Sequence, residues 1–411
     1  PNKILETIQA IKLELLYSKK EILLLYLDRA PFGGNIVGYR AAALKYFGKQ
    51  GHAITWAQAA MLAVLPNDPG RIGGGMNVEA LRTKRNNLLR KLEAGGEISD
   101  STLRSALREP VPESILPAPL HAPHLARRVR DLHGPGWIRT TIDHAIQEHA
   151  ELLVHRHSEI LSGKGIRHAA ALIVETRTGK VRAYIGSPDF FDPNHGQVDG
   201  IQAPRSSGSI LKPFLYALAM DDGLITPVTK LLDIPTRYGT FVPANADESF
   251  GGLVTVSEAL TQSLNVPAVR LLNAFGIRSA HQFFREAGLT TRFRNPAEYG
   301  LPLVLGGCEV TLWDMATLYR GLADGGRFST LHVLDNPEPD QPVKQLISPG
   351  AGWLTLEILR NLDRPGAHHY WHMFENERPV AWKTGTSYGR RDAWAIGVSP
   401  DWTIAVWCGN F

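Results

Sequence analysis

Ser206-Ser-Gly-Ser-Ile-Leu-Lys-Pro-Phe214 contains the only S-x-x-K in the chain. If this stretch opens a helix, Ser209 and Lys212 lie one turn apart on the same face, and the lysine amine comes within hydrogen-bond reach of the serine hydroxyl. Serine is a poor nucleophile at its own pKa, and a desolvated, neutral lysine is one of the few side chains able to take its proton. Taken alone, the motif favours an ordinary helix start on the surface, since roughly one S-x-x-K is expected by composition in a chain of this length. Two further groups follow it in order. Ser263-Leu-Asn265 comes after a helical pattern, in a loop before Pro267, and Lys383-Thr-Gly-Thr-Ser387 lies on a β-rich run.

Composition bounds what these groups can belong to. The 411 residues, 44% hydrophobic and 20% charged, allow two or three domains with ample core and exclude a disordered chain. Two cysteines are too few for a disulfide scaffold or a C-x-x-C metal site. The net charge of +4, spread without a like-charge block, suits an anionic substrate or surface and gives no argument for nucleic acid. The longest strongly apolar stretch, Ile22 to Leu27, is far shorter than the ~18–20 residues of a membrane helix. The chain opens at Pro1 and closes on a β run ending Trp407-Cys-Gly-Asn-Phe411, which suggests a piece of a longer protein with its anchor and the last elements of its second domain cut away.

Residues 1–108 read mainly as helices. Ile4, Ile8, Ile11 and Leu15, then Ile22, Leu23 and Tyr26, repeat at helical spacing. Further helices are expected at Tyr39–Phe47, at Ala53–Leu65 with Thr55 as N-cap, and at Val78–Ala94, with Pro66-Asn-Asp-Pro-Gly70 as a turn. Pro110, Pro112, Pro117, Pro119 and Pro123 mark an extended linker, placed at 109–138. Beyond it, Ala169–Thr176 and Lys180–Ile185 flank Arg177-Thr-Gly179 as a hairpin. Helices fill much of 209–320, and Val380–Thr384, Ala393–Val398 and the last run are strands. Strands at both ends enclosing helices imply a mixed sheet covered by helices.

The ordered triple S-x-x-K, S-x-N, K-T-G resembles the serine acyl-transferase signature of penicillin-binding proteins and serine β-lactamases. The chain as a whole is similar to the class A, bifunctional penicillin-binding proteins, most of all to their 1C branch. Thr140-Thr-Ile-Asp-His-Ala-Ile-Gln147, Leu305-Gly-Gly-Cys-Glu-Val-Thr-Leu312 and Arg391-Asp-Ala-Trp394 extend the match. The resemblance implies an α+β transpeptidase domain at 139–411 with a helix-covered antiparallel sheet. Ser209 would attack the D-Ala-D-Ala end of a peptidoglycan stem peptide, with Lys212 as base and Ser263 passing a proton to the departing amine. Asn265 would hold the acyl amide, and Lys383 with Thr384 and Thr386 the substrate carboxylate. Gly385 would clear the strand edge for a substrate lying along it. The N–H groups of Ser209 and Thr386 would form the oxyanion hole, and Arg391 would line the groove. β-Lactams would trap Ser209, and no cofactor is implied. A D,D-carboxypeptidase, a β-lactamase or a non-catalytic sensor or scaffold would carry the same three motifs.

Tyr17-Ser-Lys-Lys-Glu-Ile-Leu-Leu-Leu-Tyr-Leu-Asp28, Ala30-Pro-Phe-Gly-Gly34, Tyr46-Phe-Gly-Lys49 and Leu62-Ala-Val-Leu-Pro-Asn-Asp-Pro69 resemble the second half of a lysozyme-like, family-51 glycosyltransferase domain. In the longer parent that domain polymerises lipid II, and the resemblance allows it a divalent metal. It also implies a membrane anchor upstream, in the bacterial inner membrane, with the catalytic domains facing the periplasm. Glu6 and Lys3 fall where that family has its second glutamate and a basic partner, although an ordinary i,i+3 pair accounts for them equally. Asp28 stands where asparagine is usual. His155-x-His157 and His368-His-Tyr-Trp-His372 have no carboxylate or cysteine cluster to make them a metal site, and Cys308 and Cys408 read as buried small hydrophobes. The motif with the family's catalytic base is absent, so these 411 residues are expected to make no glycan from lipid II; detectable polymer in a gel assay would overturn that.

Overall fold

The structure, a computed structural model, describes residues 2–34, 36–66, 78–117, 120–134, 136–290, 294–335, 342–361 and 378–411. Most of the turn expected at 66–70, the 368–372 histidine run and Trp371 lie outside these residues. Two units are present, Pro1–Leu120 and His121–Phe411.

In the first unit α1 (Asn2–Leu16), α2 (Lys19–Arg29), α3 (Tyr39–Phe47), α4 (Trp56–Val64), α5 (Val78–Ala94) and α6 (Asp100–Arg108) follow in sequence. Ser18 and Thr55 open α2 and α4 with capping boxes to Glu21 and Gln58, which partner amide groups that a first helical turn leaves free. Phe32, Ala42, Ala43, Tyr46, Met61 and Leu65 share a core, and the Tyr46 hydroxyl donates to the Phe32 carbonyl at 2.8 Å. On α1, Ile4, Ile8, Ile11 and Leu15 keep their helical spacing but stand exposed. Lys3 and Glu6 form an exposed i,i+3 ion pair at 2.7 Å.

The proline-rich span is only partly extended. Helix α7 (Pro123–His133) lies inside the expected linker, with Pro123 in its first turn and Leu125 and Val129 in the core of the second unit. Proline lacks only an N–H that a first turn does not use, so here it begins a helix rather than breaking one.

The second unit is built on a five-stranded antiparallel sheet. It contains β1 (His168–Glu175), β2 (Val181–Ile185), β9 (Ala381–Thr386), β10 (Asp392–Val398) and β11 (Trp402–Gly409), in the order β2-β1-β11-β10-β9. Three two-stranded ribbons accompany it. They pair β3 (Arg205–Ser206) with β6 (Glu309–Val310), β4 (Lys230–Asp233) with β5 (Gly252–Thr255), and β7 (Arg327–Phe328) with β8 (Lys344–Gln345). The remaining helices are α8 (His144–Ser162), α9 (Lys212–Asp221), α10 (Val256–Thr261), α11 (Asn265–Phe275), α12 (Ile277–Glu286), α13 (Pro296–Tyr299), α14 (Leu312–Ala323) and α15 (Pro349–Arg360).

Strand β1 is apolar at nearly every position because helices cover both faces of the sheet. Ala170, Leu172 and Val174 join the main core, whereas Ala171 and Ile173 pack with Ile146 and Ala150 of α8. In α9 every residue from Lys212 to Met220 is buried, so the helix has no solvent face and its N-terminal turn is fixed by packing on all sides. Trp407, opposite Ala170 on β1 and fully buried, also donates from its indole N–H to Asp392 at 3.1 Å. Trp407→Ala is expected to cost about 3–5 kcal/mol of unfolding free energy, measured by denaturant titration; a loss below about 1 kcal/mol would contradict this packing.

Candidate active site

The turn that carries Ser209 is held to the sheet by its neighbours. Ser206 pairs with Glu309 between β3 and β6, the Ser206 hydroxyl donates to the Gly306 carbonyl at 2.8 Å, and the Ser207 N–H donates to the Cys308 carbonyl at 3.0 Å. The indole N–H of Trp394 donates to the Ser206 carbonyl at 2.9 Å, and the Tyr319 hydroxyl to the Ile210 carbonyl at 2.7 Å. Lys212 N–H bonds to the Ser209 carbonyl at 3.3 Å, so Ser209 sits in a tight turn just ahead of α9 rather than in the helix. The one-turn spacing is kept, and the amine of Lys212 and the hydroxyl of Ser209 belong to one short segment.

Two glycines bring this turn against β9. Gly208, at φ +51°, leaves no room for a side chain: a Cβ there would lie 2.6 Å from the Thr386 carbonyl oxygen and 2.8 Å from its nitrogen. A Cβ on Gly385 would meet Ile210 at 2.5 Å. Gly385 is therefore needed to seat the turn that carries Ser209, in addition to any clearance it gives a substrate. The Ser387 N–H donates to the Asp392 carbonyl at 3.0 Å, which makes Ser387 and Asp392 a hydrogen-bonded pair. Antiparallel pairs alternate, so the N–H of Thr386 points away from β10 toward the free edge of the sheet. The Ser209 N–H has no acceptor among the described residues. The two expected oxyanion donors thus belong to backbone segments in contact through Gly208.

Ser263 joins two buried lysines. Lys212 donates to the Ser263 carbonyl at 2.6 Å, the Leu264 carbonyl at 3.1 Å and Asn265 Oδ1 at 2.7 Å. Lys383 donates to Ser263 Oγ at 2.8 Å and to the Thr384 carbonyl at 2.8 Å. Burial, and then the charge of Lys383, holds the Lys212 amine well below the ordinary lysine range. Burial also brings Lys383 down to about 8. Three acceptors around Lys212 match the three N–H bonds of an ammonium, whereas a neutral amine has two and a lone pair. Lys212 is therefore surrounded by what it needs after accepting a proton. The Ser209 hydroxyl has no hydrogen-bond partner among the described residues, so the expected contact between Ser209 and Lys212 is not made; the amine is turned to the Ser263-Leu-Asn265 segment instead.

The expected groups Ser209, Lys212, Ser263, Asn265, Lys383, Thr384, Gly385 and Thr386 thus come to one edge of the sheet, with the side chains of Thr384 and Thr386 exposed on it. The S-x-N segment is not a simple loop before Pro267. Asn265 is the first residue of α11, Pro267 lies in its first turn, and Ser263 adopts φ +58°, a left-handed conformation uncommon outside glycine. Arg391 is exposed, and its neighbour Asp392 points inward, where it accepts from Arg205 at 2.6 Å and from Trp407. Period-2 alternation through Arg391-Asp-Ala-Trp394 is the signal that separates these two. His155 and His157 are exposed on α8. Both cysteines are free thiols; Cys308 is buried and Cys408 partly so. Among the described residues no group of three His, Cys, Asp or Glu is placed to hold a metal ion.

Comparison with known families matches residues 169–407 to the penicillin binding protein transpeptidase domain and residues 1–93 to the transglycosylase family. The chain belongs to the class A penicillin-binding proteins, in which these two domains occur in this order. It is 38% identical to penicillin-binding protein 1C of Escherichia coli (strain K12), over 99% of this chain and 52% of that protein. Against penicillin-binding protein 1F of Bacillus subtilis (strain 168) the identity is 26%, over 98% of this chain and 60% of that one. The chain thus spans roughly half of the length of these relatives. The crystal structure of penicillin-binding protein 1A from Haemophilus influenzae shares the fold at a TM-score of 0.61 and 19% identity, covering 95% of this chain and 81% of that one.

The expected roles of the two lysines define a pH window for acylation by a penicillin. In those roles Lys212 is neutral to take a proton, and Lys383 is charged to attract a carboxylate. Raising the pH through about 8 discharges Lys383. The second-order rate of labelling by a fluorescent penicillin should therefore fall above that point, approaching about tenfold per pH unit. A profile still rising at pH 10 would contradict the charge assigned to Lys383.

Proposed function

We propose that this chain is a serine D,D-transpeptidase that crosslinks peptidoglycan stem peptides. The observation that carries the reading is Ser263 held between two buried lysines of opposite duty, beside a serine whose turn is clamped to a free sheet edge. A stem peptide ending in D-Ala-D-Ala lies along β9 with its carboxylate near Lys383, Thr384 and Thr386. Ser209 Oγ attacks the penultimate carbonyl carbon while Lys212 takes the hydroxyl proton. The oxyanion that forms faces the N–H groups of Ser209 and Thr386. As the C–N bond breaks, Ser263 gives its proton to the leaving terminal D-Ala amine and takes one from Lys383, which donates to its Oγ. The Asn265 carboxamide holds the acyl chain. The amine of a second stem then attacks the ester and gives up a proton, which restores Lys383 through Ser263, while Lys212 returns its proton to the departing Ser209 oxygen, leaving a new amide bond. A β-lactam follows the first half of this path and remains on Ser209.

By the same reading the longer parent also polymerises lipid II through a complete glycosyltransferase domain, to which Lys3 and Glu6 belong. Its place is the bacterial inner membrane, with the catalytic domains on the periplasmic side. No helix among the described residues is long and apolar enough to cross a membrane.

Two measurements test the transpeptidase. Fluorescent penicillin should label wild type and not Ser209→Ala; label on both would remove Ser209 from the chemistry. With a stem-peptide donor and an added amine, aminolysis should exceed hydrolysis, whereas hydrolysis alone would make the protein a carboxypeptidase.

A further inference from the structure

The S-x-N segment is strained, and nothing within it supplies the missing support. Helix α11 begins with Leu264 at its N-cap, a residue with no side chain to receive the free amides of the first turn. Ser263 just before it holds φ +58°. A residue remote in sequence does the capping. Asn245 Oδ1 accepts from the N–H of Asn265 at 2.8 Å and of Val266 at 3.3 Å.

Asn245 is in turn fixed by a buried carboxylate. Its Nδ2 donates to Asp233 Oδ1 and Oδ2 at 2.9 and 3.1 Å and to the Ser249 carbonyl at 2.8 Å. Asp233 lies at the end of β4, is 1% exposed, and also accepts from the Gly251 N–H at 2.8 Å. Every hydrogen-bonding position of the Asn245 carboxamide is used, and a flipped amide would set oxygen against carboxylate. The adjacent Ala244 carbonyl takes the Nδ2 of Asn265 at 2.8 Å, which turns Asn265 Oδ1 toward Lys212.

We propose that Asn245, held by Asp233, is a positioning residue for acylation. It caps α11 from outside and so fixes the Ser263-Leu264-Asn265 turn with its three oxygens converging on the Lys212 amine. Neither residue touches a reacting atom. The inference rests on the reading that Ser209 is acylated.

The test is the rate of fluorescent penicillin labelling against pH, with thermal melts, for wild type, Asn245→Ala, Asn245→Asp, Asp233→Asn and the reciprocal double variant Asn245→Asp/Asp233→Asn. Asn245→Ala should slow labelling about 10- to 100-fold, as small displacements near a reacting group do. Its acid limb should move to lower pH, because a relaxed turn withdraws the three oxygens that favour the charged form of Lys212. Asn245→Asp faces two carboxylates together and should be slow as well. The double variant restores one carboxylate and one carboxamide with the acceptor still on α11, leaves an oxygen facing the Ser249 carbonyl, and should regain part of the rate and exceed Asn245→Asp. Folded Asn245→Ala with the wild-type rate and pH profile overturns the proposal, as does a double variant no faster than Asn245→Asp. If Asn245→Ala does not fold, Asp233→Asn and the double variant decide it on the same criteria. Failure of Ser209-dependent labelling in wild type would instead remove the acylation reading itself.

Discussion

The site depends on the burial of one amine. Lys212 opens a helix with no solvent face, so its nitrogen cannot reach water and must find acceptors inside the protein. The backbone of α9 offers none at its own N-terminus, where free groups are N–H donors. Another segment has to supply oxygens, and it must present two consecutive carbonyls and a carboxamide at nearly the same point. An extended chain or a regular helix points successive carbonyls apart or all one way. The left-handed residue at Ser263 breaks that regularity and lets the carbonyls of Ser263 and Leu264 both face the amine. The strain at Ser263 is therefore a requirement of the buried lysine, offset by the bonds it allows.

A second demand comes from the sheet. An oxyanion hole assembled from two chain segments works only if they hold their separation, since the donors must already point where charge develops. Here the separation is set by backbone contact. Gly208 lies directly on the Thr386 backbone, and Gly385 lies against the Ile210 side chain and the Ser207 carbonyl. Arg205, Asp392, Trp394 and Trp407 tie β3 to the turn end of the β9–β10 hairpin, where Trp394 pairs with Gly385, so the Ser206–Lys212 turn is joined to this strand both before and after Ser209. Arg205 also covers the Trp407 ring at 5.2 Å, which keeps its guanidinium beside Asp392.

Much of this is legible in the sequence, and what is not has physical causes. Residues that react must be of particular types at particular spacing, so Ser209, Lys212, Ser263, Asn265 and Lys383 can be picked out as letters. The strands were legible where β1, β2 and β10 run apolar between turn residues. The short ribbons β3–β6 and β4–β5 carry too few residues to show a period. Asn245 and Asp233 act across the fold through a carboxamide and a carboxylate, and loops containing Asn and Asp are common for local reasons of their own. The prolines misled in one place because Pro123 at a helix start and proline in a linker look the same in one dimension. Arg391 and Asp392 were separable by strand alternation, yet the charged residue nearer the surface drew the functional reading, while its buried neighbour does the holding.

The two lysines also divide their labour by surroundings rather than by type. Both are buried, both are lowered, and they lie on opposite sides of one serine. Two ammonium groups so close in a medium of low dielectric repel, so the protonation of one lowers the affinity of the other for a proton. Lys383, lowered to about 8, is the one that the proposed reaction uses as a charge for an anionic ligand; Lys212, lowered further by burial and by that charge, is the one it uses as acceptor. In the proposed reaction a proton arriving on Lys212 raises the cost of charge on Lys383, which can pass a proton to the Ser263 hydroxyl it touches, whereas Lys212 reaches only the Ser263 carbonyl. A carboxylate bound at Lys383 reverses the balance, since its negative charge favours a proton on either nitrogen. In the proposed reaction substrate binding and proton transfer are in this way coupled through the charges of the two lysines.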